Sequence, residues 1–168
     1  MCIRDSFQHL SLNSMFPQIT INGLYQDESG VLWIGTKDGV KKYNGNYIES
    51  VNFMGINNWI QSNLVPTICG DKKGHLYVNT DYSIIEYDLI KEESRIIFSQ
   101  PNTQILPSIA FNYGINSLWI GLLDSVYNYK EGICQAKYKI DSNNLSISSL
   151  KEASDKMLYI GTKHDGIF

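Results

Sequence analysis

The stretch Val31-Leu32-Trp33-Ile34-Gly35-Thr36 constrains this chain more than any other, because it recurs. It is a short apolar run opened by the turn-forming Asp27-Glu28-Ser29-Gly30 and closed by Lys37-Asp38-Gly39. Leu76-Tyr77-Val78-Asn79-Thr80, Leu118-Trp119-Ile120-Gly121-Leu122 and Leu158-Tyr159-Ile160-Gly161-Thr162 repeat it. An aromatic therefore stands at 33, 77, 119 and 159, in steps of 44, 42 and 40 residues. Tyr43, Tyr87 and Tyr129 follow the aromatic at a fixed distance, and Leu24, Ile68, Ala110 and Leu150 precede it at another. Register kept on both sides of a landmark marks the repetition of a whole supersecondary unit.

A period of about 40 to 45 residues suits a four-stranded propeller blade. Within the first unit, apolar and aromatic runs predict strands at 19–26, 32–36, 40–43 and 47–53, and the two-residue signals Asp38-Gly39 and Asn44-Gly45 predict tight hairpins between them. The second unit predicts strands at 65–70, 75–80, 84–88 and 94–99, the third at 106–112, 117–121, 126–129 and 133–140, and the fourth at 146–150 and 157–162. The fold class expected is all-β, a partial β-propeller of three antiparallel four-stranded blades and a truncated fourth, taken from a seven-bladed ring. Residues 1–17 form a lead whose segment Phe7 to Leu12 is read as a ring-closing strand. Blades then occupy 18–58, 59–101 and 102–143, with the truncated blade at 144–168. Units of this kind bury their faces against neighbours, so open faces and unpaired edges are expected at either end of such an array.

The repeat positions Asp27, Gly30, Trp33, Gly35, Tyr43, Tyr77, Tyr87, Trp119, Gly121, Tyr129, Tyr159 and Gly161 are assigned structural roles. Four aromatics at one place in every unit argue for packing between blades rather than a stacking ladder for a ligand. Gly35 is expected where a neighbouring group approaches strand backbone closely. Loops on one rim are better binding candidates. Topology puts the crossings between units and the second-to-third strand turns on the same rim, which nominates Lys37, Asp38, Trp59, Asp81, Tyr82 and Asp124.

Chemistry is otherwise sparse. Asp27 with Glu28, and Glu92 with Glu93, are adjacent residues that on a strand would face opposite ways. The Gly35 to Gly39 segment lacks the long glycine-rich loop and Lys-Ser/Thr of a phosphate-binding motif. Cys2, Cys69 and Cys134 have no metal-ligand spacing, Cys69 is read as a buried inert thiol, and no metal or cofactor is expected. A net charge of −3 with arginine at positions 4 and 95 alone gives no basic stripe, which argues against nucleic acid as a partner.

The run Asp27-x-x-Gly30-x-Leu32-Trp33-Ile34-Gly35-Thr36-x-x-Gly39-Val40-x-x-Tyr43 resembles the two-component regulator propeller repeat. That resemblance implies the periplasmic sensor half of a hybrid two-component histidine kinase. Such a half recognises an oligosaccharide or other small ligand, is homodimeric in the intact protein, and is anchored by a membrane helix beyond this sequence, with the remaining blades in the same chain. It implies signal transduction and no enzymatic step in this segment. Asn79 in place of glycine, Leu122 in place of threonine, and the missing Asp-x-x-Gly turns of the third and fourth units depart from the pattern. A cytoplasmic protein-interaction scaffold is one alternative, although the Trp-Asp pair of such repeats is absent. A sialidase-like glycan-processing propeller is another, although its Asp-box spacing is one residue shorter than that found here.

Overall fold

Alternation along each strand divides this chain's core into layers between sheets. The computed structural model describes residues 20–53, 64–99, 107–141, 146–153 and 157–168. Strands β1 (Ile21–Gln26), β2 (Leu32–Thr36), β3 (Gly39–Tyr43) and β4 (Ile48–Val51) form one antiparallel meander. A second contains β5 (Ile68–Gly70), β6 (His75–Asn79), β7 (Ser83–Asp88) and β8 (Glu93–Ser99). A third contains β9 (Ser108–Asn112), β10 (Ser117–Leu122), β11 (Ser125–Lys130) and β12 (Ile133–Lys139), and β13 (Ile147–Glu152) pairs with β14 (Leu158–Thr162). Strand bounds differ from the sequence reading by up to three residues. Phe7 to Leu12 lies outside the described residues.

The first strand of each sheet faces the first strand of the next: β1 lies against β5, β5 against β9 and β9 against β13. Sheets with their first strands gathered inward and their last strands outward are the blades of a propeller. The described residues are all-β, without a helix, and no helix long and apolar enough to cross a membrane occurs among them.

Because successive side chains on a strand point to opposite faces, each middle strand feeds two layers. Leu76 and Val78 of β6 join Trp33, Val40, Phe53 and Tyr87 between the first and second sheets. Tyr77 of the same strand joins Leu118, Ile120 and Tyr129 between the second and third. Trp119, Val126, Ile147, Leu150 and Ile160 form the next layer. Each such side chain contributes about 1.5 to 3 kcal/mol by leaving water, so the second and third sheets are held by both of their neighbours.

Backbone bonds tie the sheets along their inner edge. Val65 N–H donates to the Thr36 carbonyl and Ile147 N–H to the Leu123 carbonyl, each at 2.9 Å. The glycines of the second strands make this approach possible. A Cβ on Gly35 would lie 2.8 Å from Val65 Cγ1, and one on Gly121 would lie 2.6 Å from Ile147 Cγ2. At the junction between the second and third sheets the glycine is Asn79 and the donor position is Pro107, which has no N–H. There the fully buried Asn79 side-chain amide donates to the Pro107 carbonyl instead.

Side chains also repeat the turn chemistry. Asp27 Oδ1 accepts from the amides of Ser29 and Val31 at 2.9 and 3.1 Å, and Asp71 Oδ1 from those of Lys73 and His75 at 2.7 and 3.0 Å. The third unit, without Asp-x-x-Gly, makes a related turn: Asn112 Oδ1 accepts from the Gly114 and Ile115 amides. Asparagine offers the same acceptor as aspartate, one residue earlier relative to the aromatic. Gly30 and Gly74 take positive φ in these turns, and Asn116 does so at 52° in the third. At the other end of the sheets, Thr36, Thr80 and Thr162 hydroxyls donate to the carbonyls of Gly39, Ser83 and Gly166, closing the hairpins.

Candidate functional site

A transverse row of cross-strand neighbours runs over each sheet. In the first it is Tyr25, Trp33, Lys42 and Glu49; in the second Cys69, Tyr77, Glu86 and Arg95; in the third Ala110, Trp119, Asn128 and Gln135. The aromatic member recurs while the outer pair changes from Lys-Glu to Glu-Arg to Asn-Gln. Fold constraints shared by all units do not require that change.

These rows line clefts between adjacent sheets, open on the rim formed by the first-to-second and third-to-fourth strand turns. The cleft between the first and second sheets is about 490 Å³ and includes Tyr25, Trp33, Lys42, Glu49, Tyr87 and Glu92 in its walls. The corresponding cleft between the second and third is about 210 Å³, walled by Asp71, His75, Tyr77, Glu86, Arg95 and Tyr129. Between the third and fourth lies one of about 660 Å³ walled largely by Trp119, Tyr138, Ile140, Met157, Leu158 and Phe168.

In the first two sheets the aromatic is covered by the third strand of the next sheet. Tyr87 meets Trp33 edge-on at 6.0 Å between ring centres, and Tyr129 meets Tyr77 likewise at 6.4 Å. Trp33 and Tyr77 are each 6% exposed and Trp119 is 9% exposed. Tyr159 departs from the expectation of equivalent burial: it is 44% exposed, because no sheet among the described residues lies against its outer face. Tyr43, the first of the third-strand tyrosines, is half-buried and donates to the Gly45 carbonyl at 2.8 Å. A Cβ on Gly161 would meet the Ser149 side chain of its own strand pair rather than a residue of another sheet.

Polar contacts fix the orientation of these rings. Trp33 Nε1 donates to Asp27 Oδ2 at 2.7 Å, and Trp119 Nε1 to Glu152 Oε2 at 2.8 Å. Burial alone would push the Asp27 carboxyl up, but bonds from Ser29, Trp33 and the Val31 amide outweigh it and hold the group below the ordinary carboxylate range. In the second cleft Arg95 Nε and Nη2 bond Glu86 Oε1 at 2.9 and 2.7 Å, and Tyr129 hydroxyl donates to Glu86 Oε2 at 2.9 Å. Burial, followed by the bond to Glu86, pushes the Tyr129 phenol up to about 12. Cys69 is half-buried rather than fully so, and burial of its sulfur pushes the thiol up to about 12, unsuited to nucleophilic work at neutral pH.

The loop residues nominated from sequence lie on the opposite rim. Lys37 and Asp38 are exposed in the β2–β3 turn, with the Asp38 amide bonded to Thr36 Oγ1. Asp81 is buried and Tyr82 half-buried in the β6–β7 turn. Asp124 is half-buried in the β10–β11 turn, where the Ser125 hydroxyl outweighs the opposing effect of burial and, with the charge of Lys139 at 3.7 Å adding to it, holds the carboxyl low. Trp59 lies outside the described residues. The turns share a rim, but none of the clefts described above is lined by these five residues. Glu86, Arg95 and Lys42 were not singled out by sequence reasoning; the signal available was variation at a fixed place in an otherwise regular repeat. Among the described residues no group of three or more His, Cys, Asp or Glu side chains is arranged to hold a metal.

Comparison with known proteins agrees with this geometry. Residues 15–38, containing β1, β2 and the turn between them, match the family described as two component regulator propeller. The chain has no match among curated proteins. Among solved structures, it resembles the extracellular domain of a B. thetaiotaomicron protein described as hybrid two component system BT4673, with a TM-score of 0.72 and 19% identity over 88% of this chain and 20% of that one. The corresponding domain of BT3049 from the same organism gives 0.67 and 18% over 88% and 21%. Virginiamycin B lyase from Staphylococcus aureus gives 0.67 and 16% over 88% and 54%. The chain thus spans about a fifth of the length of the two extracellular domains. At these identities the likeness is one of fold, and a fold shared by an extracellular domain of a two component system and a lyase does not decide chemistry.

Proposed function

We propose that this chain is a stretch of the ligand-sensing propeller of a two-component sensor, on the outer side of the bacterial inner membrane. The observation that carries this reading is the two component regulator propeller match at residues 15–38, set in a unit whose turn, aromatic and hairpin geometry recurs along the chain. In this reading the segment performs no reaction. It forms part of a rigid rim and passes a binding event to kinase and regulator domains elsewhere in the intact protein, which would act as a homodimeric histidine kinase controlling transcription.

A glycan-derived ligand and a seven-bladed ring are the finer parts of the proposal, and both come from the family resemblance. The residues nominated for the rim are Lys37, Asp38, Asp81, Tyr82 and Asp124, with Trp59. The experiment is a transcriptional reporter in cells carrying the complete protein, supplied with a panel of polysaccharide digests. A response to one digest, lost on Lys37→Ala/Asp38→Ala/Asp81→Ala with the protein still present in the membrane, supports the reading. An unchanged response after deletion of the whole propeller segment would overturn it.

A further inference from the structure

Tyr87 and Tyr129 hold the same place in successive units, yet their hydroxyls are treated differently. Tyr129 is satisfied within the chain: it donates to Glu86 Oε2 and accepts from Arg95 Nη2, both at 2.9 Å. Tyr87 is 7% exposed, borders the cleft between the first and second sheets, and has no hydrogen-bond partner for its hydroxyl among the described residues. The cause lies in the variable pair. In the second sheet Arg95 reaches from Glu86 across to the next unit's tyrosine, whereas in the first Lys42 and Glu49 close on each other at 3.0 Å and extend no bond to Tyr87. Where the guanidinium enters, the cleft measures about 210 Å³; where none does, about 490 Å³.

The open cleft is acidic and aromatic. Asp27, Glu28, Glu49 and Glu92 line it against Lys42 and Lys72, and the Lys72 ammonium lies over the Tyr113 ring of the third unit at 4.8 Å. Trp33 and Tyr87 supply ring surface, which attracts a cation. Planar guanidinium suits carboxylate and phenol acceptors beside an aromatic wall better than a compact ammonium does. We propose that the cleft between the first and second sheets binds an alkylguanidinium group from outside the chain, with the Tyr87 hydroxyl and Glu92 carboxylate as acceptors, reproducing what Arg95 does internally one unit later. This site is independent of the sensing role proposed above.

The test is calorimetric titration of the 168-residue chain with N-acetylarginine amide, its neutral citrulline counterpart, and agmatine. The arginine compound should bind at least tenfold more tightly than the citrulline one, and Tyr87→Phe or Glu92→Gln should weaken it several-fold. Lys42→Glu/Glu49→Arg copies the pair of the second unit into the first and should abolish binding while melting stays cooperative. Arg95→Ala should open a second site and raise the stoichiometry from one to two. Agmatine binding as tightly as the amide would identify a free small cation, and weaker agmatine binding a peptide-borne arginine; both support the site. Equal affinity for the arginine and citrulline compounds, or binding undiminished in Tyr87→Phe and the double variant alike, would overturn it. Tyr87→Phe removes one oxygen atom, so it keeps the test decisive should the double variant fail to fold.

Discussion

Asn79 donates its side-chain amide to the carbonyl of Pro107, so two departures from the repeat meet across one junction. Elsewhere a glycine receives a β-branched residue whose N–H bonds the preceding unit, as Gly35 and Gly121 receive Val65 and Ile147. Proline cannot supply that donor, and the asparagine replaces it. Asn79 Oδ1 is left buried without a donor, which lowers the net gain from the substitution.

The two positions should therefore be coupled. Asn79→Gly alone, leaving the Pro107 carbonyl without its donor, should cost about 1 to 3 kcal/mol. Asn79→Gly/Pro107→Val recreates the glycine and valine of the first junction and should recover much of that loss. A double-mutant cycle from urea denaturation reads the coupling; additive losses would contradict the pairing.

Gly35→Ala should destabilise by about 1 to 3 kcal/mol through overpacking, since the new Cβ would meet Val65 Cγ1 at 2.8 Å and the Val65 carbonyl at 3.1 Å. Val65→Ala in the same chain removes the first of these contacts and should rescue part of the loss. Thermal melts of the single and paired variants check this.

Asp27 makes stability depend on acid. Its carboxyl is held low in the folded chain despite burial, by Ser29, Trp33 and the turn amides. Its contribution is thus present above the unfolded value near 3.9 and lost as pH falls through the lower folded value. Asp27→Asn should flatten the melting profile below about pH 4 and loosen Trp33, whose indole N–H loses its carboxylate. Melting temperature and tryptophan emission against pH, in both chains, read the two effects.

Alkali should act through the buried phenols. Burial pushes Tyr25 and Tyr129 up to about 12 and raises Tyr77 as well. Groups raised in this way stabilise the fold below the unfolded value near 10 and lose that contribution as pH rises toward the folded values. Absorbance titration near 295 nm should show a late group of tyrosines that merges with the remainder once urea unfolds the chain.

Periodicity made the strands legible in the sequence, because each blade is a local meander whose hairpins are written in adjacent residues. Trp33 and Tyr77 were recognisable as packing positions for the same reason. Tyr159 shares their motif but not their burial, since a ring's cover comes from another sheet and not from the motif itself. The clefts were hidden for a related reason: Glu86 and Arg95 look like two unrelated surface charges until β7 and β8 pair them and β11 brings Tyr129 alongside. Asn112 was missed as a turn residue because the acceptor had moved by one position and changed from carboxylate to amide.

The backbone bonds from Val65 to Thr36 and from Ile147 to Leu123 gather at the inner end of the blades, while the clefts open away from them. A row of blades fastened this way behaves like the leaves of a book bound along one side. A small tilt about the binding leaves the fastening bonds almost unchanged yet alters the gap at the free margin, where the arm from that axis is longest. Side chains that bridge the gap, such as Arg95 between Glu86 and Tyr129, set the angle of one leaf against the next, and the mechanical stiffness of the array varies from junction to junction with the identity of a single cross-strand pair.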